Sequence, residues 1–392
     1  MLRQSKVFKV ITTIVGSTIL SIIISFISER VNILEKFTVA INDVDFTDLY
    51  YQYKPKPKAD NNIVIVNIGY RSRAELAEML KIISSNQPKV IGGDIFFDQE
   101  VDTVDVVGTT LLSNQVKTVN NIVLASAYVG KADDGTDIIA RQSQSIREHV
   151  KEGIVSLNIA TDDPEYGTVR SFYPITDINK AKHLSFGFLV ASFLDSTVLK
   201  YATEDETMIR WYGYGSDNSE RVFKTFDSQQ ILNRHFEKGD IEGKIVLLGF
   251  MGETFGDYVP GDIFFTPLNK KIIGRSLPDM YGVEVHANVI KMIVDKEFIY
   301  HSKTTDFLFN LVFITIFTLV LFWMQSKYTK QYSIISKIAL IIFIDLLIIG
   351  AIGLFSWTNG DVKFLIADGL FVMLFLPDTY EFLDNNLFKK LK

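Results

Sequence analysis

Phe307–Met324, with the sequence FLFNLVFITIFTLVLFWM, is the stretch that decides the architecture of this chain. It contains no charged residue and is long enough to cross a bilayer as a helix, which takes about 17–25 residues. Ile338–Trp357 is a second apolar run, and Phe364–Leu376 is a third, shorter one. The three runs predict a region of three transmembrane helices at 304–378, followed by a short tail at 379–392.

Two carboxylates interrupt these runs. Asp345 lies within the second run, and Asp368 lies within the third if that run begins by Asp361. A carboxylate inside a span costs free energy and normally faces a partner helix or a watery cavity. Two interpretations stay open: the side chains couple the last two spans or dock another protein, or they are protonated or lie near an interface. We take Asp345 and Asp368 as candidate residues for coupling across the membrane.

A fourth apolar run, Val10–Ile27, lies near the N-terminus. Three basic residues and no acid precede it: Arg3, Lys6 and Lys9. A cleaved secretory signal usually has a shorter apolar region, of about 7–15 residues, and small residues at its cleavage site. The sequence SFISER at 25–30 does not fit such a site. Residues 1–28 are therefore predicted to be a cytoplasmic N-terminus and an uncleaved signal anchor.

The distribution of basic residues predicts the topology. The basic N-terminus and the link that holds Lys327, Lys330 and Lys337 both belong in the cytoplasm, because cytoplasmic loops carry an excess of lysine and arginine. Thr358–Asp361 carries no basic residue and suits an outer turn. Both termini are thus predicted to be cytoplasmic, and residues 29–303 are predicted to lie outside the cytoplasmic (inner) membrane of a bacterium.

Composition narrows the functional classes. The chain has 392 residues, a formal net charge of −6 and no cysteine. A nucleic-acid-binding domain usually has a basic surplus, so no nucleic-acid partner is expected. Without cysteine there is no disulfide, cysteine nucleophile or thiolate metal site. The five histidines form no H-x-x-x-H pair and no G-x-S-x-G motif occurs, so we predict no metal site, no cofactor and no enzymatic activity.

Segments of strand and helix character alternate between the membrane runs. Ile63–Ile68 is a short β-branched run typical of a buried strand. Ala74–Ser84 has apolar residues at helical spacing, and Lys89–Phe97 is a second predicted strand. A strand, a helix and a strand in this order suggest a crossover unit whose two strands pair in parallel. The fold class predicted for 29–303 is α/β, with a mixed, mostly parallel sheet and flanking helices.

Four residues are candidates for a ligand site: Asp94, Asp257, Glu284 and His286. Asp94 lies at the carboxyl end of a predicted strand, where open α/β sheets present groups to ligands. The other three lie in later loops or at a helix start that follow strand ends. The alternative is structural: Asp94 and Glu284 cap helices or pair with arginines, and His286 makes a buried hydrogen bond. In a regular helix Glu284 and His286 point to different faces, which weakens a joint role.

The order of several motifs resembles a known family. The motifs are IVIVNI at 63–68, PKVIGGDIFF at 88–97, LSFGF at 184–188, GKIVLLG at 243–249, FTPL at 265–268 and GVEVHAN at 282–288. Together with the flanking apolar runs they are similar to the second type of CHASE domain, the extracytoplasmic sensory module of bacterial cyclases and kinases. The resemblance covers Met1 to about Leu376 and implies a sensory domain outside the cytoplasm.

Two features depart from this family. Its members usually carry an acidic segment with tryptophan and proline after the first strand, whereas Gly69–Ala74 here leads almost directly into the predicted helix. Members also commonly continue into a cytoplasmic catalytic domain. Only the short tail is expected here, so the resemblance implies an output on a separate protein.

Three functional hypotheses follow. The leading one is a membrane-anchored, receptor-like sensor that binds a ligand or protein outside the cell membrane and signals to a separate cytoplasmic or membrane effector. The second is a structural subunit of an envelope complex without a small-molecule ligand. The third is an extracytoplasmic hydrolase using Asp94 and His286, which ranks last because no nucleophile or metal set is visible. The lipid bilayer is an expected partner in each, and homo-oligomerisation is left open.

Overall fold

The computed structural model describes residues 6–28, 46–54, 58–97, 105–159, 167–215, 221–253, 262–269, 277–328, 330–358, 360–363 and 366–388. The chain divides into two compact units. The helical unit comprises Met1–Tyr50 and Tyr300–Lys392, and the α/β unit comprises Tyr51–Ile299.

The strands and helices of these described residues are numbered in chain order. The strands are β1 Ile63–Asn67, β2 Val90–Asp94, β3 Ile122–Lys131, β4 Asp137–Ala140, β5 Lys151–Ile154, β6 Leu157–Ile159, β7 Val169–Phe172, β8 Ile175–Ile178, β9 Ala181–Leu184, β10 Thr207–Met208, β11 Lys224–Asp227, β12 Ile245–Gly249, β13 Ile263–Phe264, β14 Met280–Tyr281, β15 Tyr300–His301 and β16 Val362–Lys363. The α-helices are α1 Lys6–Ser28, α2 Phe46–Tyr53, α3 Arg73–Ser85, α4 Val106–Lys117, α5 Gln144–Arg147, α6 Phe186–Ser192, α7 Ser228–Leu232, α8 Gly282–Asp295, α9 Lys303–Lys327, α10 Tyr332–Trp357 and α11 Ala367–Leu383.

The α/β unit is built on a mixed sheet in the order β11-β1-β12-β2-β3, with β4 and β5 both paired to β3. Every pair in this sheet is parallel except β3 with β4. Strands β1 and β12 are buried along their whole length, as expected for parallel strands covered on both faces. The predicted α/β class with a mostly parallel sheet is confirmed.

The predicted pairing of the first two strands is wrong in one respect. Strands β1 and β2 belong to the same parallel sheet, but β12 lies between them and pairs with both. Strand β12 is IVLLG, apolar at four of its five positions, and can bury both faces in the centre of a sheet. The strand that occupies the central place therefore comes from about 150 residues further along the chain than β2.

Helix α8 is buried in the core of the α/β unit and packs against the central strands of the sheet. Its residues from Gly282 to Ile290 are all buried, and it lies next to β1, β12 and α6. A helix with so little exposed surface must satisfy its polar side chains internally. Glu284, His286 and Asn288 are the polar residues it buries.

Gly153 in β5 permits the close approach of α6. A Cβ added at Gly153 would lie 2.5 Å from the Cα of Phe186 and 2.8 Å from its backbone nitrogen. We expect Gly153→Ala to lower the free energy of unfolding by about 1–3 kcal/mol, because backbone atoms cannot rotate away from an overpacked contact. Gly239→Ala is the matched control, since a Cβ there meets no atom within 4 Å. The stability of both variants is measured by the denaturant midpoint of the full chain in nanodiscs. Equal midpoints for the two variants would contradict the close contact between Gly153 and Phe186.

Among the described residues of the helical unit, three helices are long and apolar enough to cross a membrane, by length and composition. They are α1, whose apolar segment is Lys6–Ile24, and the helices α9 and α10. These correspond to the first apolar run of the sequence and the first two of the C-terminal region.

The third predicted C-terminal span has different bounds. Helix α11 begins at Ala367, ends at Leu383 and contains Pro377. Phe364, where the predicted run begins, lies outside the described residues. Val362 and Lys363, just before it, form β16, which pairs in parallel with β15. A π-helical turn follows at Asp384–Phe388, so much of the predicted tail is helical. A proline inside a helix is tolerated where neighbouring helices compensate for the lost backbone hydrogen bond.

The ends of these helices meet in two groups. At one end, the Nζ of Lys9 lies 4.0 Å from the Oδ1 of Asp384, and the Nε2 of Gln325 donates to its Oδ2 at 3.3 Å. The start of α1 and the ends of α9 and α11 thus share one end of the unit. At the other end, the backbone N–H of Tyr300 donates to the carbonyl of Asp361 at 2.6 Å. This contact joins the entry of α9 to the segment between α10 and α11.

Candidate functional site

Two carboxylates converge on the first residue of helix α8. Asp94 is the last residue of β2, and Asp262 immediately precedes β13. The Oδ2 of Asp94 lies 3.3 Å, and the Oδ1 of Asp262 3.5 Å, from the position that a Cβ on Gly282 would take. The backbone N–H of Gly282 donates to the carbonyl of Asp262 at 3.2 Å. The absence of a side chain at Gly282 gives both carboxylates room at the helix start.

His286 approaches the same place from the second turn of α8. Its Nε2 lies 3.9 Å from the Oδ2 of Asp94, too far for a hydrogen bond. The His286 side chain is 6% exposed and that of Asp94 is 17% exposed. The imidazole packs against the Phe186 ring, with centroids 5.3 Å apart and planes at 65°. We call Asp94, Asp262 and His286 the acid–histidine site.

Burial sets the protonation of this site. It raises the pKa of Asp94 to about 6. Burial, followed by the charge of nearby Asp94, raises the pKa of Asp262 to about 7. Burial lowers the pKa of His286 to about 4. Near neutral pH the imidazole is therefore uncharged, and the two carboxyls titrate as an interacting pair.

The three side chains of the site form no hydrogen bond within the part of the chain that the structure describes. Asp279, a nearby acid, shows the opposite arrangement. Its carboxylate accepts from the backbone N–H and the hydroxyl of Thr266 at 2.8 and 2.7 Å, and from the hydroxyl of Tyr214 at 2.8 Å. Asp279 is a structural carboxylate, whereas the acid–histidine site takes no part in a comparable network of described residues.

Glu284 has the capping role that the sequence left open as an alternative. Its Oε1 accepts from the backbone N–H of Gly215 at 2.8 Å, and its Oε2 from that of Tyr281 at 3.0 Å. It is almost completely buried and, as expected, its side chain has partners other than those of His286. Asp257 lies outside the described residues. The structure thus brings Asp94 and His286 together and assigns Glu284 to the start of α8.

Sequence reasoning missed Asp262, although a signal for it exists. The pentapeptide Gly-Asp-Ile-Phe-Phe occurs at 93–97 and again at 261–265. The first copy supplies Asp94 and the second supplies Asp262. A search for short exact repeats, rather than for long periodic ones, pairs the two carboxylates that meet at Gly282.

Among the described residues, no group of three or more histidine, aspartate or glutamate side chains is arranged to hold a metal ion. The chemistry available to the acid–histidine site is acceptance of hydrogen bonds by two carboxyls and one imidazole nitrogen, together with uptake or release of a proton. Phe186 supplies an apolar wall beside the imidazole.

The CHASE2 domain matches residues 18–325 of the chain. This chain belongs to the CHASE2 family. No curated protein and no solved structure matches it. CHASE2 domains are extracytoplasmic sensory domains, so the resemblance seen in the sequence is confirmed, and with it the sensory and membrane character of the chain.

The matched range contains the whole acid–histidine site of the CHASE2 domain. The two membrane-coupling candidates lie beyond it. Asp345 is the fourteenth residue of α10 and is exposed on its surface. Asp368 is the second residue of α11, not an internal one, because the helix starts later than predicted. The coupling role of Asp368 stays a prediction.

Proposed function

We propose that this CHASE2 protein is a membrane-anchored sensor of the bacterial cytoplasmic membrane. Its α/β unit lies outside the cytoplasm, binds a ligand at the acid–histidine site and signals through its membrane helices to a separate effector protein. The proposal assigns no catalytic step. It is supported by the sensory character of CHASE2 domains and by the three helices that are long and apolar enough to span a membrane.

The observation that carries the proposal is the convergence of Asp94 and Asp262 on Gly282, with His286 3.9 Å from Asp94. His286 is buried and the two carboxyls are partly buried, and the three side chains present acceptor atoms to one small region. The site lies at the carboxyl end of parallel strand β2, the edge at which open α/β sheets bind ligands. A ligand that donates hydrogen bonds to these three acceptors would fit the site.

The chemistry of the site favours an organic cation. Two carboxyls and a neutral imidazole accept hydrogen bonds, and a positive charge would favour the ionised form of both acids. A primary ammonium group supplies three donors and one charge on a body small enough to lie beside Phe186. Binding of such a cation would release a proton from the acid pair, so affinity should increase as pH rises from 6 to 8.

Thermal unfolding of the full chain in nanodiscs tests this proposal. The probes are a panel of small primary amines, each paired with the alcohol of the same carbon skeleton, at pH 6 and pH 8. We expect at least one amine, and not its alcohol, to raise the melting temperature more at pH 8 than at pH 6. The response should disappear in Asp262→Asn and persist in the control Asp195→Asn, a residue at the surface.

The same panel can refute the proposal. An amine response that is equal in wild type and Asp262→Asn would remove the acid–histidine site as the binding site. A panel without any stabilising amine would remove the organic cation as its ligand.

For the topology we propose four spans with both termini in the cytoplasm. The lysines of the chain support it. Lys9 lies at the end of the helical unit where α1 begins and α9 and α11 end. Lys327 is the last residue of α9, and Lys330 lies between α9 and α10. Cytoplasmic ends carry such residues. Helix α11, with 17 residues, is shorter than the other three and would span with little tilt.

A structural subunit of an envelope complex is the second candidate function. The observation that favours it is the exposed carboxylate of Asp345, which calls for a protein partner whether or not a ligand exists. A stoichiometric partner that copurifies through Asp345, together with an unresponsive acid–histidine site, would support this candidate over the sensor.

A further inference from the structure

One face of helix α10 is exposed in the part of the chain that the structure describes. Its exposed residues recur at helical spacing along almost the whole helix: Ile334, Ile338, Ile341, Ile342, Asp345, Leu346, Ile349 and Gly353. The opposite side is buried against the neighbouring helices at Leu347, Ala351 and Phe355. We call the exposed row the outward face of α10. Its middle is apolar apart from Asp345, and the polar residues Lys337 and Ser356 are exposed towards its two ends.

Asp345 stands near the middle of this face. Helix α10 has 26 residues, of which Asp345 is the fourteenth. At 1.5 Å rise per residue it lies about 18–20 Å from either end of the helix. Proximity to a membrane interface therefore does not account for it. A carboxylate at that depth costs about 2.5–3.5 kcal/mol of insertion free energy unless a partner compensates.

Gly353 is a second anomaly of the same face. The other glycines inside the described membrane helices face a neighbouring helix: a Cβ at Gly350 would lie 3.3 Å from Phe313, one at Gly16 would lie 3.1 Å from Thr379, and one at Gly369 would collide with Asn310. A Cβ at Gly353 meets no atom within 4 Å. Glycine in a helix interior costs about 1 kcal/mol relative to alanine, and packing within the chain does not explain it here.

We infer that the outward face of α10 docks a transmembrane helix of a different protein, which carries a lysine or arginine at mid-depth opposite Asp345 and crosses α10 closely at Gly353. Small residues let membrane helices approach each other, and a buried acid pairs best with a basic residue. Lipid chains offer Asp345 no such partner. A second copy of this chain would place two Asp345 carboxylates together across a symmetric interface, where like charges repel.

The inference deepens the proposed function by giving the chemistry of the effector's membrane segment. It depends on the membrane arrangement proposed above and not on the ligand. If the outward face of α10 forms the expected crosslink but no amine stabilises the chain, the ligand proposal fails and the docking surface stands. The two failures can therefore be distinguished.

Site-specific photo-crosslinking of the full chain in its native membranes tests the inference. A photoreactive phenylalanine analogue replaces Ile349, which lies on the outward face between Asp345 and Gly353. The matched control carries the analogue at Leu319, an exposed residue of α9. We expect a protein adduct from position 349 and none from 319. Its yield should fall about tenfold with Asp345→Asn, since an interhelical polar contact contributes about 1–2 kcal/mol, and should persist with Asp345→Glu.

Gly353→Leu should reduce the adduct without altering the chain's own thermal unfolding, because a Cβ there meets no atom of the described residues within 4 Å. Peptide sequencing of the adduct should identify a protein with a lysine or arginine inside a membrane span. An adduct made of two copies of this chain, an adduct indifferent to Asp345→Asn, a partner without a basic residue in its spans, or crosslinking to lipid alone would each overturn the inference.

Discussion

Replacing Asp94 by asparagine is expected to stabilise the α/β unit at pH 8 and to leave its stability nearly unchanged at pH 4. Burial raises the pKa of Asp94 from an ordinary value of 3.8 to about 6 in the folded chain. The unfolded state therefore releases this proton first, and folding stability falls as pH rises from about 4 to above 6. The full penalty corresponds to about 3 kcal/mol at 1.36 kcal/mol per pKa unit. Asparagine has the same shape and never becomes charged.

The effect is measured by the denaturant midpoint of the full chain in nanodiscs between pH 4 and pH 8. His286 contributes a trend of opposite sign, because its pKa is lowered to about 4 and its stabilising contribution is lost as pH falls below 6.5. The difference between wild type and Asp94→Asn at each pH removes that common trend. If Asp94→Asn destabilises the chain at pH 8, the carboxylate is not an unfavourable buried group.

Asp195 supplies a control of opposite sign. Hydrogen bonds from Lys296 and then Thr197 lower the pKa of this exposed carboxyl. Its ionised form therefore stabilises the fold above its ordinary pKa, and that contribution is lost as pH falls. Asp195→Asn should slightly destabilise the chain at pH 8, in contrast to Asp94→Asn. Only a residue retained for function, not for stability, is expected to behave as Asp94 does.

Asn288→Leu is expected to cause the largest loss of stability among single changes in the α/β unit, about 2–6 kcal/mol. The side chain of Asn288 is fully buried. Its Oδ1 accepts from the backbone N–H groups of Tyr212 and Gly213 at 2.7 and 3.2 Å. Its Nδ2 donates to the carbonyls of Gly213 and Glu284, both at 2.9 Å. Leucine would leave two buried N–H groups without an acceptor, each costing about 1–3 kcal/mol.

Asn288→Asp extends this test with an isosteric change. The carboxylate would keep the two acceptor contacts, but it would turn an acceptor towards two carbonyl oxygens and bury a charge. We expect it to be destabilising as well, and more so at pH 8 than at pH 4. Asn114→Leu, at an exposed position of α4, is the control and should change little. Denaturant midpoints for Asn288→Leu that match those of Asn114→Leu would show that the network at Asn288 does not support the fold.

The local spacing of apolar residues in the sequence was sufficient to predict the α/β class of the fold. The β-branched runs at β1 and β12 and the helical spacing of α3 mark buried strands and a covering helix, because periodicity reports which faces are apolar. It does not report which strands are neighbours. Strand β12 pairs with both β1 and β2 across a long separation in sequence, so the central position of the sheet could not be read from the first two strands alone.

At the acid–histidine site, too, the residues identified by a local motif could be predicted from the sequence, and those that depend on contacts distant in sequence could not. Asp94 was predicted from its place at a strand end, and His286 from its place in the motif that opens α8. Asp262 lies immediately before β13, far from Asp94 in sequence, and only the tertiary structure shows that it lies close to Gly282. The capping role of Glu284 depends on the backbone N–H of Gly215, which is likewise distant in sequence.

The end of the chain illustrates a different limit. The apolar run at Phe364–Leu376 predicted a helix of those bounds, yet a short parallel pairing between β15 and β16 takes the residues before Phe364. The helix starts later and runs through Pro377. Hydropathy locates a membrane segment but not the hydrogen-bond partners that set its first residue.

The central claim is that the α/β unit lies outside the cytoplasmic membrane and that the link between α9 and α10 lies in the cytoplasm. Cysteine labelling tests this topology most directly. The chain has no cysteine, so single cysteines at Asn114 in the α/β unit and at Lys330 in the link between α9 and α10 can each be followed alone. A membrane-impermeant maleimide added to intact spheroplasts should label the cysteine at 114 and not the one at 330, and should label both after lysis. Labelling at 330 in intact spheroplasts, or protection at 114, would contradict the account.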